Sequence, residues 1–237
     1  MRDPSAVWLL CLLLIGAITL ALAQRRHTAR VRADRGRLFE DCSALLDDPT
    51  VIPRGLDFPL LTGRRRTGYQ VRLEPVLDTM SMRTVPVLWL VVTCGGPRVE
   101  TGRLSVLARA CGTEFYARHD EAGAMASMGP GWPGELAVRA DSVDAAERQP
   151  ELLDHIRRFM ADGRVKQVVV GPGSVRVVWR CAAADSGTYR VTRRVDLTGA
   201  RVDAPALAAV LDTVEELLAL RGLGADPAVS TGGGASR

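Results

Sequence analysis

Lysine is almost absent from this chain of 237 residues, because Lys166 is the one lysine among 31 basic residues. Phosphate-binding surfaces normally use lysine as well as arginine, so we interpret the bias as codon usage of a GC-rich genome. The net charge of +4 is concentrated in residues 24–38, where six arginines and one aspartate give +5. The remainder of the chain is close to neutral, and we expect no nucleic-acid partner.

Residues that carry common catalytic chemistry are also scarce. There is no G-x-S-x-G motif, and strands are not predicted to alternate with helices as a dinucleotide fold requires. The glycine-rich segment 168–174 is followed by a strand and lacks the Lys-Ser/Thr of a phosphate-binding loop. The three histidines are far apart, at His27, His119 and His155. We therefore predict that the protein is not an enzyme and that it has no cofactor.

Cysteine pairs of the kind that bind zinc are missing as well. None of the five cysteines forms a C-x-x-C pair, and none lies in a Cys/His cluster with zinc spacing. Four of them follow the N-terminal segment, and these form two disulfides if the domain is exported or stay reduced and buried if it is not. We favour reduced thiols. The cysteines are Cys11, Cys42, Cys94, Cys111 and Cys181.

One long hydrophobic run is present, at the N-terminus. Ala6–Ala23 contains eighteen residues without a charge. As a helix this segment is about 27 Å long, close to the thickness of the hydrocarbon core of a bilayer. We predict an N-terminal transmembrane anchor over residues 1–24.

Three topologies remain open for this segment. Ala21-Leu22-Ala23 resembles a signal-peptidase site, which would release the domain. An uncleaved anchor could instead leave the domain exported. The arginines that follow the segment favour a third arrangement, in which the domain stays on the cytoplasmic side of the inner membrane in a single-pass protein.

The arginine-rich segment that follows is predicted to continue as a juxtamembrane helix. Its apolar residues recur at helical spacing from Val31 to Leu46, and Asp47-Asp48-Pro49 is expected to end the helix. We therefore assign residues 25–48 to a basic juxtamembrane helix. Four of its arginines are candidates for contact with the membrane surface: Arg25, Arg26, Arg30 and Arg32.

Residues 49–140 have the pattern of a first β-meander subdomain. Val85–Cys94 is a continuous apolar run of strand length and predicts a central strand that is buried on both faces. The run Arg64–Arg66 is interpreted as a solvated hairpin loop rather than a phosphate site. The expected strands are Asp57–Thr62, Gly68–Leu77, Val85–Cys94, Gly102–Ala110, Thr113–Ala117 and Glu135–Arg139.

A long loop, residues 118–134, interrupts this subdomain and is a candidate contact surface. Loops of this length in compact domains are often functional. Its candidate contact residues are His119, Asp120, Glu121 and Trp132. A metal-dependent or hydrolytic site using the first three is a further hypothesis, although one histidine beside two acids lacks the spacing of a preorganised metal site.

Residues 141–222 are predicted to form a second subdomain with the order helix, three strands, helix. The first helix covers Pro150–Ala161, and Asp203 is expected to cap the last helix, which carries an apolar stripe. The intervening strands are Lys166–Val170, Val175–Cys181 and Thr188–Val195. Residues 223–237 are predicted to be a disordered tail.

Together these elements predict an α+β protein: an N-terminal transmembrane helix followed by an antiparallel meander sheet with two to three packed helices. The layout resembles that of uncharacterised single-pass bacterial membrane proteins, a likeness that implies no activity. We expect an interaction or scaffold module at the cytoplasmic membrane with an unknown protein partner. The alternatives are an exported domain that binds a ligand or envelope component, and an enzyme.

Overall fold

The computed structural model describes residues 4–79, 85–98, 102–110, 112, 114–126, 132, 135–193 and 195–222. The helices are α1 Pro4–Gly36, α2 Val143–Glu147, α3 Pro150–Met160, α4 Ser186–Thr192 and α5 Ala204–Leu220. The strands are β1 Asp47–Arg54, β2 Asp57–Arg64, β3 Gln70–Asp78, β4 Val87–Gly95, β5 Leu104–Ala108, β6 Ala124–Ala126, β7 Leu136–Ala140, β8 Val165–Val170 and β9 Ser174–Ala183. The α+β class is confirmed.

The strands form one nine-stranded antiparallel sheet in the order β1-β2-β3-β4-β9-β8-β5-β7-β6. The predicted meander is correct from β2 to β4, and β8 pairs with β9 as predicted. The predicted pairing of β4 with β5 is wrong, since β9 lies beside β4 and β5 lies between β8 and β7. The strand lengths explain why β4 pairs with β9 rather than with β5. Strand β9 has ten residues to pair with the nine of β4, whereas β5 has five. Segments 49–140 and 141–222, predicted as two subdomains, thus contribute neighbouring strands to the same sheet.

Strand β4 has the central position that its apolar sequence predicts. Leu90 and Val92 are fully buried on one face, and Trp89 and Val91 are buried on the other. Such two-sided burial explains why the run lacks the alternation of a half-exposed strand.

Most of the hydrophobic core lies between one face of the sheet and helices α3 and α5. The predicted stripe of α5 is confirmed, because its six apolar residues are all buried. Asp203 stands at the N-cap position, but its side chain makes no capping hydrogen bond. The stripe consists of Leu207, Val210, Leu211, Val214, Leu217 and Leu218.

Two strand predictions and one helix boundary are wrong. The described residues of the predicted strand 188–195 do not form a strand, because β4 and β8 already occupy both sides of β9, and the chain forms helix α4 instead. Thr113 lies outside the described residues, and residues 114–117 form a turn. The first helix ends at Gly36 rather than near Leu46.

The structure also contains two strands that the sequence did not predict, β1 and the three-residue β6 inside the predicted loop 118–134. Residues 47–54 form β1 at one edge of the sheet despite Pro49 and Pro53. Proline lacks the backbone donor of a central strand and is tolerated at an edge.

Within the part of the chain that the structure describes, no helix has both the length and the apolar character needed to cross a bilayer.

The predicted tail, residues 223–237, lies outside the described residues, as do Cys111 and the side chain of Asp120.

Candidate interaction surfaces

The first candidate surface is the N-terminal part of helix α1, which projects large apolar side chains into the surroundings. Nine of them have between 48% and 72% of their surface exposed. The nine side chains do not follow one helical stripe, because several of them are adjacent in the sequence. They therefore point to all sides of the helix. A helix that is apolar all round belongs in a protein core or in lipid. The nine are Trp8, Leu9, Leu12, Leu13, Leu14, Ile15, Ile18, Leu20 and Leu22.

The arginines that follow this apolar part divide into two groups. Arg25, Arg26 and Arg30 are exposed on α1. Arg32, predicted to contact the membrane with them, is exposed as well but donates from Nε to the carbonyl of Gly55, at 3.3 Å. One of the four candidates therefore also contacts the turn between β1 and β2.

Arg35 fixes the same turn to the helix. Its Nη1 donates to the carbonyl of Leu56, and its guanidinium lies 5.0 Å from the centre of the Phe58 ring. The side chain thus combines a charge-assisted hydrogen bond with a cation–π contact.

The end of α1 is also held by the segment before α5. The carboxylate of Asp34 accepts the backbone N–H of Gly199 at 3.0 Å and lies 3.6 Å from Arg201. The backbone N–H of Val202 donates to the carbonyl of Leu38 at 3.0 Å. Contacts from two segments therefore fix the direction in which α1 leaves the domain.

The described candidates of the predicted contact loop differ in exposure: Glu121 is exposed, whereas His119 and Trp132 are half-buried. His119 Nδ1 lies 2.9 Å from Oγ of Ser105, a fully buried residue of β5. Glu121 pairs instead with Arg103 at 3.1 Å, and Trp132 is half-buried against the main core. His119 and Glu121 therefore contact residues only two positions apart at the start of β5, whereas Trp132 packs against the main core.

A metal or hydrolytic role for His119, Asp120 and Glu121 gains no support from this geometry. Among the described residues there is no group of three or more His, Cys, Asp or Glu side chains placed to hold a metal ion. Ser105 has no exposed surface, so a substrate cannot reach its hydroxyl beside His119.

A buried polar network lies between this loop and the sheet. Gln167 Nε2 donates to Ser105 Oγ at 3.1 Å, and Gln167 Oε1 accepts from Arg176 Nη1 at 3.1 Å. Arg176 also donates to the carbonyl of Tyr116. Burial, helped by nearby Arg118, lowers the pKa of Arg176 to about 10. These contacts attach the loop to the sheet.

Sequence analysis missed this network, although one signal for it exists. Lys166 and Gln167 interrupt the valines of β8, and polar side chains in a buried strand require partners. Lys166 finds its partners in Arg109 and Glu114, and Gln167 finds its partners in Ser105 of β5 and Arg176 of β9, at positions that no local pattern identifies.

A groove of about 510 Å³ lies between the β2–β3 hairpin and α5. Its lining includes Asp212, Glu215 and Glu216. Arg65, which we had assigned to a solvated loop, pairs with the first two and is only 17% exposed. The third carboxylate lies 2.9 Å from Nε2 of His155. The carboxylates of the groove thus connect neighbouring elements, and the prediction of a solvated Arg65 is wrong.

Comparison with known proteins adds little to this description. No protein-family model matches the chain, and no curated protein sequence matches it. Among solved structures, the crystal structure of the mycobacterial trehalose monomycolate transport factor A, TtfA, aligns with 78% of this chain and 80% of its own. The identity is 15% and the TM-score is 0.41. A score this low supports no conclusion about shared fold or function.

Proposed function

We propose that this protein is a membrane-tethered interaction domain. In this proposal residues 6–23 of α1 cross a bilayer as a single pass, and the α+β domain is held at the membrane surface. The segment includes positions 6, 7 and 10, whose side chains lie outside the described residues, in which no spanning helix is found. The exposure of nine large apolar side chains around α1 carries this proposal. Apolar surface in water is unfavourable by about 25 cal/mol per Å², and a bilayer removes it from water.

The proposed side of the membrane is cytoplasmic. Arg25, Arg26 and Arg30 follow the apolar segment directly and are exposed. Basic residues close to a span are retained on the cytoplasmic side, and they are attracted to the anionic lipids there.

An interaction role is the function that these surfaces support best. Two of the three residues that suggested an enzyme have structural partners, since His119 contacts Ser105 and Glu121 contacts Arg103. The side chain of the third, Asp120, lies outside the described residues. The fixed junction at Arg35 and Asp34 would hold the domain in one orientation. A tethered domain of fixed orientation is suited to presenting one surface to a protein partner at the membrane.

Membrane fractionation tests the tether. We expect the wild-type chain to sediment with membranes and to resist extraction by alkaline carbonate. Replacing Leu14 and Ile15 by arginine should release it, because each arginine at the centre of a span is unfavourable by about 2.5–3.5 kcal/mol. The control carries the same substitutions at Val51 and Ile52, exposed residues of β1, and should stay in the membrane fraction. A wild-type chain found in the soluble fraction would refute the tether.

Affinity purification tests the interaction role. The wild-type protein is cross-linked in cells, extracted in detergent and purified beside the Leu14→Arg, Ile15→Arg variant. We expect a protein partner that is recovered with the wild type and reduced with the released variant. Recovery of the same background from both proteins would contradict the proposal.

A further inference from the structure

We infer that the end of the sheet next to α1 is a second membrane-binding surface, which contacts anionic phospholipid headgroups through α4 and the β1–β2 turn. This inference rests on the proposed tether and concerns a different part of the chain. It identifies the surface that the domain turns toward the membrane and the lipid chemistry that this surface recognises.

The strand order places three features at one end of the sheet. Strands β2 and β3 are antiparallel, so β2 begins at the end of the sheet where β3 ends. At this same end, Asp78 at the end of β3 pairs with Val87 at the start of β4. Val87 pairs in turn with Ala183 at the end of β9. The β1–β2 turn and helix α4, which follows β9, therefore lie at the same end of the sheet. Helix α1 contacts this end through Arg32 and Arg35.

The distance from the apolar segment brings this end close to the headgroups. Half-buried residues of α1 begin at Thr28 and recur at Val31 and Asp34, which marks the helix face that the domain covers. Thr28 lies five residues after Ala23, or about 7.5 Å along the helix. The headgroup layer on each side of a bilayer is about 5–8 Å thick. The domain therefore begins where the headgroup layer ends.

The side chains at this end fit an anionic lipid surface. Val191 in α4 is 85% exposed, and Leu56 at the β1–β2 turn is 47% exposed. Arg190 precedes Val191, and Arg193 follows α4 directly; both arginines are exposed. The guanidinium of Arg193 lies 5.8 Å from the centre of the Tyr189 ring. Exposed apolar side chains flanked by arginine are typical of surfaces that enter the headgroup layer and bind acidic lipids.

The surface also contains acidic residues, and their arrangement leaves the arginines facing outward. Asp34 binds Gly199 and Arg201 at the junction with α1. Asp196 accepts the backbone N–H of Thr198 at 2.9 Å. The carboxylates of Asp34 and Asp196 thus hold loop backbone. Asp57 and Asp185 at this end of the sheet are exposed, as are Arg190 and Arg193, so the surface carries charges of both signs and the two arginines are its groups for lipid phosphates.

A fluorescent probe at position 191 tests the inference in the full-length chain. An environment-sensitive fluorescent amino acid replaces Val191, and the protein is reconstituted into phosphatidylcholine nanodiscs with or without phosphatidylglycerol. We expect a blue shift and quenching by headgroup-labelled lipid only when phosphatidylglycerol is present. The same probe at Met125, a 63% exposed residue of β6 at the opposite edge of the sheet, is the control and should not respond.

Charge reversal identifies the residues responsible. Each arginine beside an anionic surface contributes about fivefold in affinity, so Arg190→Glu with Arg193→Glu should lower the membrane-docked fraction at least about tenfold. Arg66→Glu, at an exposed position of the β2–β3 loop at the other end of the sheet, should leave the blue shift unchanged. Raising the salt concentration should weaken the shift of the unreversed protein, because salt screens exposed charges.

Flotation with the same lipids separates failure of this inference from failure of the tether. A chain that floats while position 191 shows the same emission with both lipid compositions would overturn the second surface and leave the tether intact. A chain that does not float would refute the tether itself. Cross-linking of position 191 to a protein, without any response to phosphatidylglycerol, would assign this surface to a protein partner and overturn the lipid assignment.

Discussion

Lys166 Nζ lies 2.8 Å from Glu114 Oε1, and the two side chains are only 7% and 6% exposed. The same ammonium donates to the carbonyl of Arg109 at 2.8 Å. The single lysine of the chain therefore joins β8 to the loop that follows β5. Because both charges are buried, removal of one leaves the other without its compensating charge, which is strongly destabilising.

Replacement of Lys166 by methionine should reduce the free energy of unfolding by about 3–5 kcal/mol. Chemical denaturation of the full-length protein in detergent measures this change. The control is Arg37→Met, which removes an exposed pair with Glu40 and should cost less than about 1 kcal/mol. The double variant with Glu114→Leu should be more stable than Lys166→Met alone. If Lys166→Met lowered the free energy of unfolding no more than the control variant does, the result would contradict a buried ion pair.

Arg65 should contribute to stability, whereas Arg66 beside it should not. Arg65 pairs with Asp212 and Glu215 of α5 and donates to the carbonyl of Leu45 at 3.1 Å. Arg65→Ala should destabilise the fold by about 2 kcal/mol, because it leaves the 14% exposed carboxylate of Glu215 without this partner. Arg66→Ala changes an exposed side chain and should stay within about 0.5 kcal/mol. Thermal unfolding of both variants distinguishes the two positions.

The buried thiols should resist alkylation in the folded protein. Burial raises the pKa of Cys42 to about 11 and that of Cys94 and Cys181 to about 12, from 9.0. The reactive thiolate is correspondingly rare at neutral pH. Mass spectrometry after brief treatment with iodoacetamide should find these three residues modified only in the denatured protein. Rapid modification of Cys94 in the native state would refute its burial.

The same thiols predict how stability depends on pH. In the unfolded chain they lose their protons near pH 9.0, whereas in the folded protein they keep them up to about pH 11–12. Their contribution to stability is therefore complete below pH 9 and is lost as the pH rises toward the folded pKa. Denaturation midpoints should fall as the pH rises from about 9 to about 11. A Cys94→Ala variant should show a smaller fall over the same range.

The junction between α1 and the domain should depend on Arg35 and not on Arg30. Arg35 binds the carbonyl of Leu56, whereas Arg30 is exposed. Arg35→Ala should accelerate hydrogen exchange in the β1–β2 turn, since the turn loses its hydrogen bond to the helix. Arg30→Ala should leave exchange there unchanged. Identical exchange in the two variants would mean that the contact does not hold the turn.

Local sequence patterns correctly predicted the elements whose burial follows from their own apolar residues. The apolar run of β4 and the stripe of α5 report burial directly, and both are correct. Strand β1 was missed because its two prolines argue against a strand, and only its edge position makes them acceptable.

Pairing between strands that are far apart in the sequence was not predictable from those local patterns. Residues 188–195 have strand-forming side chains, yet β4 occupies the place beside β9 that they would take. The competition involves residues more than eighty positions apart, so no local window contains it. The partners of Arg65 and Lys166 were not predicted for the same reason, since Glu215 lies in α5 and Glu114 lies in the loop after β5, both far away in the sequence.

The side of the membrane on which the domain lies tests the account most directly. A reporter that is active only in the cytoplasm, and separately one that is active only after export, is fused after Gly222, and activity is measured in isolated membranes. The account predicts cytoplasmic activity that sediments with the membranes. Activity of the export reporter, or cytoplasmic activity that remains in the soluble fraction, would contradict it.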